Sequence, residues 1–312
     1  MYNSTPFNSL IRALRFSVMF AYLILIVNLF LGTLNNILCS TVIVILALVK
    51  VLLPTQGSKR FITRVANTVM RFWSGINGLI INGLNPVEWH VIGGEDLRKD
   101  QWYLLICNHM SWTDILVLCT VFKDKIPMPK FFLKQALLYV PFIGMACWAL
   151  DMPFMRRHSR EYLIRHPEKR GQDLETTRQS CEKFQHIPTT VVNYVEGTRF
   201  TAEKHQKSAQ QYDHLLAPKS GGIAYTLAAM GEQFDSIIDV TIAYPDNREQ
   251  PFKDLLLGRL KRIEVHIRTI PMSEQHTGDY FNDKPYKRSF QLWLNNLWQE
   301  KDDLLKSIYK RN

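Results

Sequence analysis

The stretch ICNHMSWTDILVL, residues 106–118, places a histidine and an aspartate five positions apart. A histidine steered by a carboxylate is a proton-moving pair, because imidazole ordinarily titrates near neutrality. On one continuous helix, five steps of about 100° would set His109 and Asp114 about 140° apart, on different faces. They meet only if His109 sits in a turn and Asp114 in the first turn of a following helix. WYLLIC reads as a buried strand and DILVLCTVF as the start of a buried helix, so that geometry is available. A plainer use competes for the same carboxylate: SWTD fits the capping-box pattern, with Ser111 and Asp114 starting the helix. A carboxylate has two oxygens and could serve both. Asn108 either shapes the turn or donates to a developing oxyanion. Cys107 reads as an inert, buried strand end rather than a nucleophile.

A second group stands in VVNYVEGTRFTAEKH, residues 191–205. Its strand ends at Glu196, and Gly197 lets the backbone turn or approach a ligand closely. Arg199 then offers a planar fork of donors suited to phosphate or carboxylate. The plainer reading of this piece alone is a strand-ending turn with a surface arginine.

From about residue 88 strands alternate with helices. EWHVIGG, WYLLIC, KFFLK, LDMPFM, TTVVNYV, DVTIAY and RIEVHIRTI read as strands, and helices are predicted over 114–122, 134–140, 173–186 and 219–230. In the C-terminal stretch SFQLWLNNLWQEKDDLLKSIYKR, Trp293, Leu294, Leu297, Trp298, Leu304 and Leu305 form a helical core stripe. This alternation predicts an α/β fold with a mixed, mostly parallel sheet flanked by helices.

The N-terminal third differs. Of 38 basic residues seven lie in 1–87, with no Asp or Glu, leaving a nearly balanced 31 basic against 28 acidic. The net charge of +10 therefore belongs to this segment rather than to a nucleic-acid-binding globule, and no nucleic acid is expected as partner. Phe16 to Val49 is an uncharged run of 34 residues interrupted by GTLNN at 32–36. That composition predicts two apolar helices, about 11–31 and 37–53, forming an antiparallel membrane hairpin with both basic flanks cytoplasmic. After it, GSKRFITRVANTVMRFWSGINGLI interleaves basic and apolar residues: an interfacial helix with Lys59, Arg60, Arg64 and Arg71 near lipid phosphates, or a surface helix covering the globular domain. The expected organisation is a hairpin over 1–56, an amphipathic segment over 57–87 and a catalytic domain over 88–312. The five cysteines show no C-x-x-C spacing, the histidines no metal-ligand spacing, and neither a disulfide framework nor a metal is expected.

NHMSWTD and EGTR, about 80 residues apart behind an apolar N-terminus, resemble the 1-acylglycerol-3-phosphate acyltransferase family, which carries N-H-x-x-x-x-D and F-P-E-G-T-R. EGTRFTAEKH, LLAPKSGGIAYTL and DVTIAYPD look like its lysocardiolipin and long-chain lysophospholipid acyltransferase branch, in a bacterial inner-membrane form. Tyr194 and Val195 depart from the commoner Phe-Pro.

The resemblance implies a glycerolphosphate acyltransferase-like fold at the cell inner membrane, its catalytic domain facing the cytoplasm. It implies transfer of a fatty acyl group from acyl-CoA or acyl-carrier protein, a co-substrate with no cofactor besides, to a lysophospholipid hydroxyl. The default acceptor is 1-acyl-sn-glycerol-3-phosphate, with lysophosphatidylglycerol or lysophosphatidylinositol as alternatives. A non-catalytic, membrane-tethered regulatory or nucleic-acid-binding protein on the same fold is the rival of a different class. His109 would be the general base, oriented by Asp114. Asn108, Lys134, Arg156, Arg157, Glu196, Gly197, Thr198 and Arg199 would form the substrate-binding set, with Arg199 first for the phosphate.

Overall fold

The computed structural model describes residues 6–155, 165, 184, 187–208 and 211–311, the side chains of 6–18 and 155 left aside. Helix α1 spans Pro6–Leu52 and α2 spans Gln56–Leu84. They are followed by β1 (Glu88–Ile92), β2 (Tyr103–Cys107), α3 (Thr113–Phe122), β3 (Pro129–Phe131), β4 (Leu133–Lys134), α4 (Ile143–Ala149), β5 (Phe154–Met155) and β6 (Thr190–Tyr194). The chain continues through α5 (Ala202–Lys207), α6 (Ser220–Met230), β7 (Ser236–Ala243), α7 (Pro251–Leu256), β8 (Arg262–Pro271) and α8 (Lys284–Lys310).

Six strands form one sheet in the order β1-β8-β7-β2-β6-β3. β7, β2, β6 and β3 run parallel, while β8 is antiparallel to β7 and carries β1 parallel to itself. This is the mixed, mostly parallel sheet the alternation predicts. KFFLK does not stay in one strand: β3 joins the main sheet, and β4 pairs only with β5.

β2 lies near the middle, and all five of its residues are buried. Leu105 and Cys107 face one apolar cluster, shared with Val192, Val240 and the α3 residues Val117, Leu118 and Phe122. Leu104 and Ile106 face another, shared with Ile223 and Leu227 of α6 and with Leu294, Leu297, Trp298 and Leu305 of α8. A strand apolar on both faces requires a helical layer on each, and that layering holds the ends of β2 and β6 rigid.

The N-terminal hairpin expectation is corrected. No turn forms at GTLNN; α1 runs unbroken through it, and the reversal comes at Leu53–Thr55, ahead of α2. Asn35 donates to the Trp73 carbonyl at 3.1 Å, and the Trp73 indole donates to Asn36 Oδ1 at 2.7 Å. The polar side chains that suggest a turn are thus satisfied across the α1–α2 interface. Pro54 stops α1, and Thr55 caps α2 by accepting from the Ser58 amide at 3.2 Å. Ile43 of α1 and Ala66, Met70 and Ile81 of α2 belong to the same cluster as the sheet. Met19–Leu52 is long and apolar enough to cross a membrane.

Candidate active site

Parallel pairing of β2 and β6 aligns Cys107 with Tyr194, so His109 and Glu196, two residues beyond those strand ends, leave the sheet at the same edge. His109 sits in the turn and Asp114 in the first turn of α3. His109 Nδ1 and Asp114 Oδ2 are 2.9 Å apart. With Nδ1–H donating to the carboxylate, Nε2 keeps its lone pair.

Asp114 is wholly buried and serves both uses open to it. Its Oδ2 also accepts from the amides of Met110 and Ser111, at 2.7 and 2.9 Å, and its Oδ1 accepts from the Tyr244 hydroxyl at 2.7 Å. Burial, then the neighbouring Asp114 charge, push the Tyr244 hydroxyl well above its ordinary pKa, which keeps it a donor. Ser111 accepts from the Thr113 amide, so only part of a capping box forms.

The second turn docks on the first. Gly197 adopts φ +69°, and its amide donates to Tyr194 O at 2.8 Å. Phe200 N donates to His109 O at 2.7 Å, and Val195 N to Cys107 O at 3.3 Å. Glu196 Oε1 accepts from the His109 amide at 3.2 Å. Burial lifts the Glu196 carboxyl to about 8, against lesser opposing hydrogen bonds from the His109 and Leu216 backbones. The Arg199 guanidinium lies over the Trp112 ring, 4.5 Å from its centroid. Lys204 donates to Thr198 Oγ1 at 2.7 Å and to Arg199 O at 2.9 Å.

Two residues of the expected substrate-binding set are buried in the frame of the turn. Asn108 is buried, its amide donating to Ile242 O and its Oδ1 accepting from Ile242 N, both at 2.9 Å. It shapes the turn by riveting it to β7. Glu196, 1% exposed, likewise braces the His109 backbone. Lys134 is exposed on β4, outside the hydrogen-bonded network joining the two turns. Arg156 and Arg157 lie outside the described residues. Cys107 is fully buried, its thiol pushed well above the usual range by burial, in keeping with an inert side chain.

Over residues 88–244, half of the chain, the sequence matches the acyltransferase family. The chain belongs to that family.

Among curated relatives of this acyltransferase, lysocardiolipin acyltransferase 1 of Mus musculus is 26% identical over 235 residues, covering 70% of this chain and 57% of the relative. The 2-acyl-1-lysophosphatidylinositol acyltransferase of Saccharomyces cerevisiae is 24% identical over 247 residues, covering 65% and 60%. The 1-acyl-sn-glycerol-3-phosphate acyltransferase delta of Homo sapiens is 26% identical over 254 residues, covering 78% and 60%. The chain thus spans less than two thirds of the length of these relatives. The crystal structure of the 1-acyl-sn-glycerophosphate (LPA) acyltransferase PlsC from Thermotoga maritima superposes with a TM-score of 0.55 at 14% identity, covering 91% of this chain and 98% of that one, a likeness of fold.

The candidate site contains residues that spacing did not single out. Tyr194 stacks on His109 with ring centroids 3.9 Å apart and planes 14° from parallel. Trp112 lies under Arg199 and also lines an apolar cavity of about 570 Å³ formed chiefly by α1, α2, α3, α4 and α7. Tyr244 had a signal, since it ends the DVTIAY strand. Tyr194 had only its departure from the commoner motif.

Proposed function

We propose that this acyltransferase moves a fatty acyl group from a thioester donor, acyl-CoA or acyl-carrier protein, to the free hydroxyl of a lysophospholipid, by default 1-acyl-sn-glycerol-3-phosphate. The observation that carries this reading is the contact between His109 and Asp114 on a turn bonded to the EGTR turn. His109 Nε2 takes the acceptor's hydroxyl proton as its oxygen attacks the thioester carbonyl. The new C–O bond forms, the C–S bond breaks, and the departing thiolate recovers the proton from the imidazolium. Asp114 holds Nδ1–H throughout and stabilises the charged ring.

Arg199, presented on Trp112, grips the acceptor phosphate, with Lys204 adding positive charge beside it. The apolar cavity that Trp112 helps to line suits a fatty chain, so one indole would serve both the chain and, through Arg199, the phosphate. The names of the mouse and yeast relatives favour a second acceptor choice, a lysophospholipid with a larger headgroup. α1 attaches the enzyme to the bilayer, on the cytoplasmic face of the inner membrane.

Purified enzyme given labelled acyl-CoA or acyl-carrier protein and a panel of lysophospholipids tests the assignment and ranks donors and acceptors. His109→Ala is expected to lower turnover by about 10²-fold or more with membrane binding retained. Near-normal turnover by that variant would reject the mechanism.

A further inference from the structure

Residues 139–148 form an unusual strip. Between Ile126 and Leu150 the sequence has no acidic residue, and its only charges are Lys130, which is buried, and Lys134, which is exposed. Within this stretch Tyr139 is 79% exposed, Phe142 46%, Met145 54% and Trp148 55%. The strip is nevertheless tightly built. Phe142 holds φ +62°, a strained value for a side chain of its size, and a Cβ on Gly144 would collide with the Leu138 carbonyl oxygen. The outward rings are thus fixed there by the backbone.

Its other side lines the apolar cavity, through Val140, Ile143, Ala146 and Cys147. α4 packs against α1, and Lys50 near the end of α1 pairs with Asp151 just beyond α4 at 2.9 Å. α1, against which the strip packs, also exposes apolar side chains: Leu38, Val42, Ile45, Leu48 and Val49. A protein partner would meet a polar rim around such a patch. Here the neighbouring run from Phe16 to Val49 carries no charge, and the exposed charges on the adjoining elements are basic, Lys134, Arg60 and Arg64. Tyr and Trp at the edge of an apolar face with cations nearby match the chemistry of a lipid headgroup boundary.

We propose that residues 139–148 are a second membrane insert, with Tyr139, Phe142, Met145 and Trp148 immersed in the bilayer beside α1. The same short segment is then lipid-facing outside and cavity-lining inside. This rests on the membrane attachment proposed for α1 and goes beyond it, and the two separate experimentally. Flotation of the full-length protein with vesicles of phosphatidylcholine and phosphatidylglycerol tests attachment.

Quenching of tryptophan fluorescence in vesicles containing acyl-chain-brominated phosphatidylcholine, compared between the parent and Trp148→Phe, isolates Trp148. Its contribution is expected to fall at least twofold with brominated lipid and to resist aqueous iodide. Met145→Trp in the Trp148→Phe background is expected to report the same. Protein that fails to float overturns both membrane assignments. Protein that floats with Trp148 quenched by iodide but not by bromine overturns the insert alone. Resistance to both quenchers, with crosslinking between Trp148→Cys chains, would assign the strip to a second copy and overturn the proposal as well.

Discussion

Tyr194 lies flat on the imidazole of His109 while Asp114 holds one edge of the same ring, so rotation is blocked in two directions. The commoner motif has phenylalanine there, which could stack equally well; the added hydroxyl is buried and finds no hydrogen-bond partner among the described residues. The neighbouring change is compensated. Val195 donates its amide to Cys107 O, a bond proline cannot make, so the turn gains an anchor where it loses a rigid ring. Beneath them, Glu196 has its carboxyl raised by burial to about 8 against an ordinary 4.5. Between those values the unfolded chain has released this proton and the folded chain retains it. Glu196 therefore favours the fold below about pH 4.5, and that contribution is lost as pH rises to about 8. Glu196→Gln is expected to gain several degrees of melting temperature relative to the parent between pH 5 and 8. Thermal scans across that range in one detergent check it. On the exposed side, Arg199→Lys keeps the charge but loses the fork and the flat stack on Trp112. It is expected to raise KM for a phosphate-bearing acceptor roughly tenfold, with little change for the acyl donor. Kinetics varying each substrate in turn decide whether the arginine serves the acceptor.

The described helices and strands were largely legible because their apolar periods reflect burial, which the fold then honours; the helix predicted over 173–186 lies, but for residue 184, outside the described residues. WYLLIC is continuous because β2 has helices on both faces, and the α8 stripe is visible because one side of that helix packs on the sheet. GTLNN misled because turn-forming residues say only that a polar group needs a partner, not where the partner comes from. Trp73, 37 residues beyond Asn36, supplies it. Asn108 is similar: its partner Ile242 is 134 residues away, so spacing could not separate a rivet from a ligand contact. Asn36→Leu would leave the Trp73 indole N–H without its acceptor. It is expected to destabilise the protein by roughly 1–3 kcal/mol, measurable as a lower unfolding midpoint without loss of helical signal.

At the scale of the whole molecule, the apolar N-terminus is as much a wall as an anchor. Asn28 donates to the carbonyls of Leu255 and Leu256, Ile43 lies in the sheet cluster, and Thr33, Cys39 and Ser40 line the cavity. The organisation expected from sequence, a hairpin over 1–56 set apart from a catalytic domain over 88–312, makes residues 1–55 a separable membrane anchor. The structure gives a different expectation: the truncated protein loses one side of the cavity, exposes Ala66, Met70 and Ile81 of α2, and aggregates even in detergent. Size-exclusion chromatography of the truncated and full-length proteins distinguishes these outcomes; a monodisperse, folded truncation would show that α1 is dispensable to the core.

The long reach of the bonds at the His109 turn also sets an order of events during synthesis. Asn108 waits for Ile242 and Asp114 for Tyr244, bonds spanning 134 and 130 residues. At roughly 5–20 residues per second, α1 has left the ribosome many seconds before β7 exists. Until then His109 and Asp114 belong to a turn with no rivet. On the function proposed above, the chain could meet a bilayer while still inert, with the His109–Asp114 pair completed only after β7 emerges.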